Sequence, residues 1–209
     1  MLAVPSFVAP LAHAQEVAPI SAEQLLNVQA GVASIIHEAL GERAVQKTLS
    51  DDEALRAFYE ARNFEPYWVG RSGAKSRARD LVEIIEESWM HGLNPYSYNL
   101  ENIHGLKNAR EDAQLADLDI LLSDAFVRLG QDLSGIRVNP SFMRSHKKFW
   151  KAPFTAEHLL TRLSEGRVVE RLIESMEPRG QTYKHLQREL VRLVNSKPEP
   201  YEAVLPLRT

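Results

Sequence analysis

The sequence has 209 residues, 44% of them hydrophobic and 25% charged, with 25 Lys and Arg against 28 Asp and Glu. Those proportions exclude a disordered, collagenous or fibrous chain, and a net charge of −3 argues against a dedicated nucleic-acid binder, which carries a strongly basic domain. There is no cysteine, which excludes disulfides, thiolate zinc sites, iron–sulfur clusters and any cysteine nucleophile within these residues.

Leu2 to Ala12 is apolar and uncharged, and Ala12-His13-Ala14 follows it with small residues at both positions a signal peptidase reads. The run is too short to span a bilayer. It reads as a secretory signal, residues 1–14, cleaved after Ala14. No Lys or Arg precedes it, so the true start codon is expected upstream of Met1, and an apolar tail packed on the domain is the other reading. The expected location is periplasmic or secreted, with no membrane span after cleavage.

Residues 15–195 read as one all-α domain of about seven helices. Ser21 and Gln24 form a candidate capping box. Leu25, Val28, Val32, Ile35 and Ile36 recur behind it at helical spacing, and Gly41 is a stop. Ser50-Asp51-Asp52-Glu53 predicts a second start, with Ser50 as the cap and acids favoured by the helix dipole. A third helix is predicted from Ser76 to His91 on the stripe Ala78, Leu81, Val82, Ile85 and Trp89, ending at Gly92. Gly92-Leu93-Asn94-Pro95 is a turn. The longest helix spans Ala109 to Ser134, with Leu115, Leu118, Leu122, Phe126, Leu129 and Leu133 on one stripe and Gly135 at its end. Three more are predicted over Thr155–Ser164, Val168–Glu177 and Thr182–Asn195. The last carries Tyr183, Leu186, Leu190, Leu193 and Val194. No strand-type alternation competes. Residues 196–209 hold three prolines and read as an extended tail or truncated linker.

Residues that could carry chemistry are sparse. No two histidines stand at i,i+4 and no His-Glu-x-x-His occurs, so zinc has no motif, and no cofactor is expected. Asp117 and Asp124 share a helix face, where a glycosidase-like carboxylate pair is conceivable. The better reading is that Asp117, Asp119, Asp124 and the Glu83, Glu86 and Glu87 group solvate their helices opposite the apolar stripes, with Asp124–Arg128 as an ordinary surface pair. Serine-nucleophile and phosphate-loop motifs are absent. One segment stands out. Arg137, Arg144, Lys147, Lys148 and Lys151 occur with no intervening acid, interleaved with Phe142, Phe149 and Trp150. Arg137, Arg144, Lys147, Lys148 and Trp150 are therefore candidate binding residues for an anionic polymer, a carboxylate-bearing peptide or an acidic partner, set against a solvated loop.

Four motifs occur in a recognisable order. They are Phe58-Tyr59-x-x-Arg62-x-Phe64-x-Pro66-x-Trp68; Gly92-Leu93-Asn94-Pro95-x-x-Tyr98; Leu118-Asp119 with Asp124-Ala125-Phe126 and Asp132-Leu133-x-Gly135-x-Arg137-Val138-x-Pro140; and Pro178-x4-Tyr183-x2-Leu186-x3-Leu190. Together they resemble the scaffold region of large periplasmic L,D-transpeptidases, the YcbB-like group. The resemblance implies a helical scaffold that accompanies a peptidoglycan-binding module and a YkuD-type catalytic domain with a cysteine nucleophile. None of the matching positions is catalytic in that family. The expectation is a non-catalytic, stand-alone or truncated scaffold acting in cell-wall cross-linking or remodelling. Its partners would be peptidoglycan or a wall enzyme, including a separately encoded catalytic chain. An unrelated periplasmic helical adaptor and a carboxylate-dependent wall-cleaving enzyme are the alternatives. Arg62 and Asp119 are a candidate ion pair.

Overall fold

In a computed structural model of the chain, residues 22–42, 48–135 and 151–196 are described. The predicted signal, the candidate binding residues Arg137, Arg144, Lys147, Lys148 and Trp150, and the tail beyond Ser196 lie outside them. The all-α expectation holds. Eight α-helices occur among the described residues: α1 Ala22–Gly41, α2 Asp52–Glu60, α3 Ser76–Glu87, α4 Leu100–Gly105, α5 Asp112–Ser134, α6 Ala156–Ser164, α7 Val169–Glu174 and α8 Gln181–Asn195. None is long and apolar enough to cross a membrane.

α5 is the axis of the domain. A single apolar stripe was expected, yet fifteen of its 23 residues are buried, Ala116, Ile120 and Val127 among them. The reason is that α1, α3, α4 and α6 surround it, so a helix that looked amphipathic is enclosed on most sides. α2 packs on α6 and α3 packs on α7. Val32, Ile36 and Leu40 of α1, Leu81 and Ile85 of α3, and Leu159, Leu160 and Leu163 of α6 complete the core.

Local chemistry sets the boundaries. The cap of α2 is Asp51, whose carboxylate accepts from the Ala54 amide at 3.0 Å, with Asp52 and Glu53 in the first turn. Ser50, the expected cap, instead gives its backbone N–H to Asp124 Oδ1 at 2.6 Å. α2 closes with Asn63 and Phe64 both left-handed, at φ 53° and 58°, and the Phe64 amide returns to the Tyr59 carbonyl at 2.7 Å. The third predicted helix occupies its expected span, but its last turn, Ser88–His91, is 3-10. Gly92 ends it at φ 74°, a conformation that favours glycine. Asn94 caps a further 3-10 turn, Pro95–Tyr98, by accepting from the Tyr96 amide.

Two elements were not anticipated. A two-residue antiparallel hairpin pairs β1, Val69–Gly70, with β2, Gly73–Ala74. It is too short to carry an alternation signal. The six-residue α4 is likewise below the length at which helical periodicity is readable.

Two acids depart from their expected role. Asp117 is exposed and solvates α5 as predicted. Asp119 and Asp124 are fully buried. They lie on the enclosed sides of α5, where each is satisfied by donors from distant segments.

Candidate interaction face

The interior has one dominant polar centre. Asp119 Oδ1 accepts from the Tyr59 hydroxyl at 2.7 Å and the Tyr67 amide at 3.0 Å. Its Oδ2 accepts from the Trp68 and Val69 amides at 2.7 and 2.8 Å. Three successive amides thus converge on one carboxylate, which orients the chain between α2 and the hairpin. Burial pushes the Asp119 carboxyl up from its ordinary value, against the pull of these donors. Burial and the neighbouring Asp119 charge raise the Tyr59 hydroxyl well above its ordinary value, so it stays protonated and donates. Ser123 Oγ lies 2.8 Å from the Tyr59 oxygen and accepts from Trp68 Nε1 at 2.9 Å.

The expected Arg62–Asp119 pair is replaced by another arrangement. Arg62 donates to the Glu65 carbonyl, and its guanidinium lies over the rings of Phe58 and Tyr67 at 5.2 and 4.9 Å. Asp124 accepts from Ser50, from Asn99 at 3.2 Å and from Arg128 at 2.6 Å. The anticipated Asp124–Arg128 pair is therefore present, but with a buried acid rather than at the surface. Tyr98 donates to Asp132 at 2.9 Å. Three of the four sequence motifs thus meet on α5 through Tyr59, Trp68, Tyr98, Asp119 and Asp132. With both Asp119 oxygens taken by donors and Asp124 buried, neither acid is open to a substrate.

The surface is different at α8. Its apolar positions recur at three and four residues, as a core helix requires, yet none of its fifteen residues is buried. Leu186, Leu193 and Val194 are 62%, 59% and 57% exposed. Lys184, Arg188 and Arg192 occupy the opposite side. α8 is held mainly against the 3-10 turn Ser88–His91. There the Tyr183 hydroxyl meets His91 Nδ1 at 2.5 Å and Gln187 Nε2 lies 3.3 Å from the same nitrogen. The two rings stack with centroids 6.1 Å apart, and Glu177 lies 3.7 Å from His91 Nε2. Burial, then the Glu177 charge, raises the Tyr183 hydroxyl, which keeps it protonated. Between α8 and the 3-10 turn runs a groove of about 290 Å³ lined by Met90, Tyr183, Leu186 and Leu190. The His91 side chain is only 12% exposed and pins this helix. Nothing in a chain separation of 92 residues signals that contact.

Covering the exposed parts of Leu186, Leu193 and Val194 would contribute roughly 3–5 kcal/mol before the costs of association. An exposed apolar face of this kind is a candidate interaction surface. Among the sequence-predicted binding segment, Lys151 is described: it is exposed, with its ammonium 5.7 Å from the Phe154 ring centroid. Among the described residues, no cluster of acids and histidines could hold a metal ion.

No curated protein and no solved structure shows significant similarity to the chain. A family model described as "Scaffold domain" matches residues 53–190, from the first turn of α2 into α8 and more than half of the chain. That span contains all four motifs and no residue of α1. The chain belongs to the scaffold-domain family.

Proposed function

We propose that this chain is an exported, non-catalytic scaffold of a peptidoglycan-cross-linking system, and that it acts by holding an L,D-transpeptidase catalytic unit on the open face of α8. The observation that carries the reading is that a helix patterned for burial leaves Leu186, Leu193 and Val194 uncovered, inside or next to the span assigned to the scaffold family. The wall assignment is supported by the order of the four motifs. The 209 residues hold no cysteine, so the thiolate that such a reaction uses must come from a partner or from another segment. The saturated hydrogen bonding of Asp119 and the burial of Asp124 speak against the carboxylate-dependent alternative.

Deletion of the gene from its host, followed by muropeptide analysis of the wall, tests the function. A fall in 3→3 cross-links, restored by the wild-type gene but not by one carrying Leu186→Glu and Leu193→Glu, is the expected result. An unchanged muropeptide profile would remove the proposal.

A further inference from the structure

A second cleft lies away from α8, between α3 on one side and the α4–α5 connection on the other, with a volume of about 430 Å³. Its floor is apolar, formed by Val82, Ile103, Leu118 and Leu122. Its rim is charged and ordered along its length. At the hairpin end stand two guanidinium groups. Arg79 Nη1 donates to the Ala74 carbonyl at 2.9 Å. Arg110 Nη1 lies 2.6 Å from where a Cβ on Gly73 would sit, so the missing side chain at Gly73 leaves room for that cation. At the other end Glu86 Oε1 and His104 Nε2 close the cleft at 2.8 Å. Between them, Glu83 on one wall faces into the same cleft as Lys107 on the other. Neither of these side chains makes a hydrogen bond or ion pair among the described residues.

We propose that this cleft binds a short peptide that carries a free carboxylate at one end and a free amine at the other. The carboxylate lies toward Arg79 and Arg110, where a planar fork of donors suits two oxygens. The amine lies toward Glu83 and Glu86. Apolar side chains between them rest on Val82 and Ile103. The rim positions 79 and 86 are about 10 Å apart along a helix of 1.5 Å rise, which matches about three residues of extended chain. Apolar lining with a few placed charges is the composition of a specific small-ligand site. The assignment stands apart from the wall reading, because it depends only on the charge pattern of the peptide.

The test uses the isotope-labelled full chain titrated with Ala-Leu-Ala, free at both ends, and followed by amide NMR. Shifts should concentrate on Val82, Glu83, Ile103 and Lys107. Acetylating the amine or amidating the carboxylate should each weaken binding at least fivefold, and Glu83→Lys should weaken the free peptide without altering the spectrum of the core. The blocked peptides test the idea without any mutation. Equal affinity of free and doubly blocked peptides, shifts centred elsewhere, or no shift up to about 10 mM peptide, weaker than the millimolar range, would each overturn the assignment.

Discussion

Replacing Asp119 by Asn keeps the volume and removes the charge, which isolates the electrostatic role of the buried centre. Each carboxylate oxygen accepts two bonds, from Tyr59 and Tyr67 at one and from Trp68 and Val69 at the other. The new amide NH2 must replace one oxygen. On the Oδ2 side it would confront two backbone N–H groups, so the favoured orientation places it on the Oδ1 side. There the Tyr59 hydroxyl can turn, accepting from the amide while donating to Ser123 Oγ, 2.8 Å away. The Tyr67 amide has no such freedom and is orphaned, at about 1–3 kcal/mol. The bonds from Trp68 and Val69 change from charge-assisted to neutral, costing about 1 kcal/mol each. Relief of the buried charge, whose cost is visible in the raised Asp119 carboxyl, returns part of this. The expected net loss is about 2–3 kcal/mol, a large share of a domain stability of about 5–15 kcal/mol. Urea unfolding of both proteins measures it. A loss below about 0.5 kcal/mol, the range of an ordinary surface change, would show that Asp119 does not organise the segment from Tyr67 to Val69.

Gly135 lies where an added Cβ would overlap the backbone of Ala152 and Pro153. Gly135→Ala should therefore cost about 1–3 kcal/mol, measured in the same urea assay, and a neutral result would contradict the close approach. Lys75 donates to the Pro66 and Tyr67 carbonyls at 3.0 Å each, and burial lowers its pKa from the ordinary value of 10.5. A lowered folded value means the unfolded chain binds more protons in the window just below 10.5, so stability relative to Lys75→Met should rise with pH there. A difference that falls as pH rises would reverse the sign. Leu186→Glu with Leu193→Glu should change unfolding stability by less than about 1 kcal/mol in total, because both residues are mostly exposed. Changing Arg144, Lys147 and Lys148 together to Ala should reduce retention of the chain on purified sacculi, and equal retention would remove the basic segment as a wall-binding element.

The helices of the fold were readable where the period ran long. α3 with its 3-10 extension, α5, α6 and α8 lie within a few residues of their predicted spans, since each has at least two turns of spaced apolar residues and a capping or stop residue. The hairpin at Val69–Ala74 and the short α4 were not readable, because two-residue strands and six-residue helices carry no period. The buried acids misled for a different reason. A carboxylate opposite one apolar stripe looks solvated until a second layer is known to cover it, and the donors to Asp119 come from 50 to 60 residues away. The apolar pattern of α8 was seen, but pattern alone predicts burial. Only the tertiary arrangement separates a helix that packs from one left open.

The account rests on α8 being a docking face for a catalytic unit. The direct measurement is calorimetric titration of the purified chain with a purified L,D-transpeptidase catalytic domain, with the Leu186→Glu, Leu193→Glu double variant run beside it. Saturable one-to-one binding by the wild type, weakened at least tenfold in the double variant while its unfolding stability is retained, is the predicted result. No binding by the wild type, or equal binding by both proteins, would contradict it.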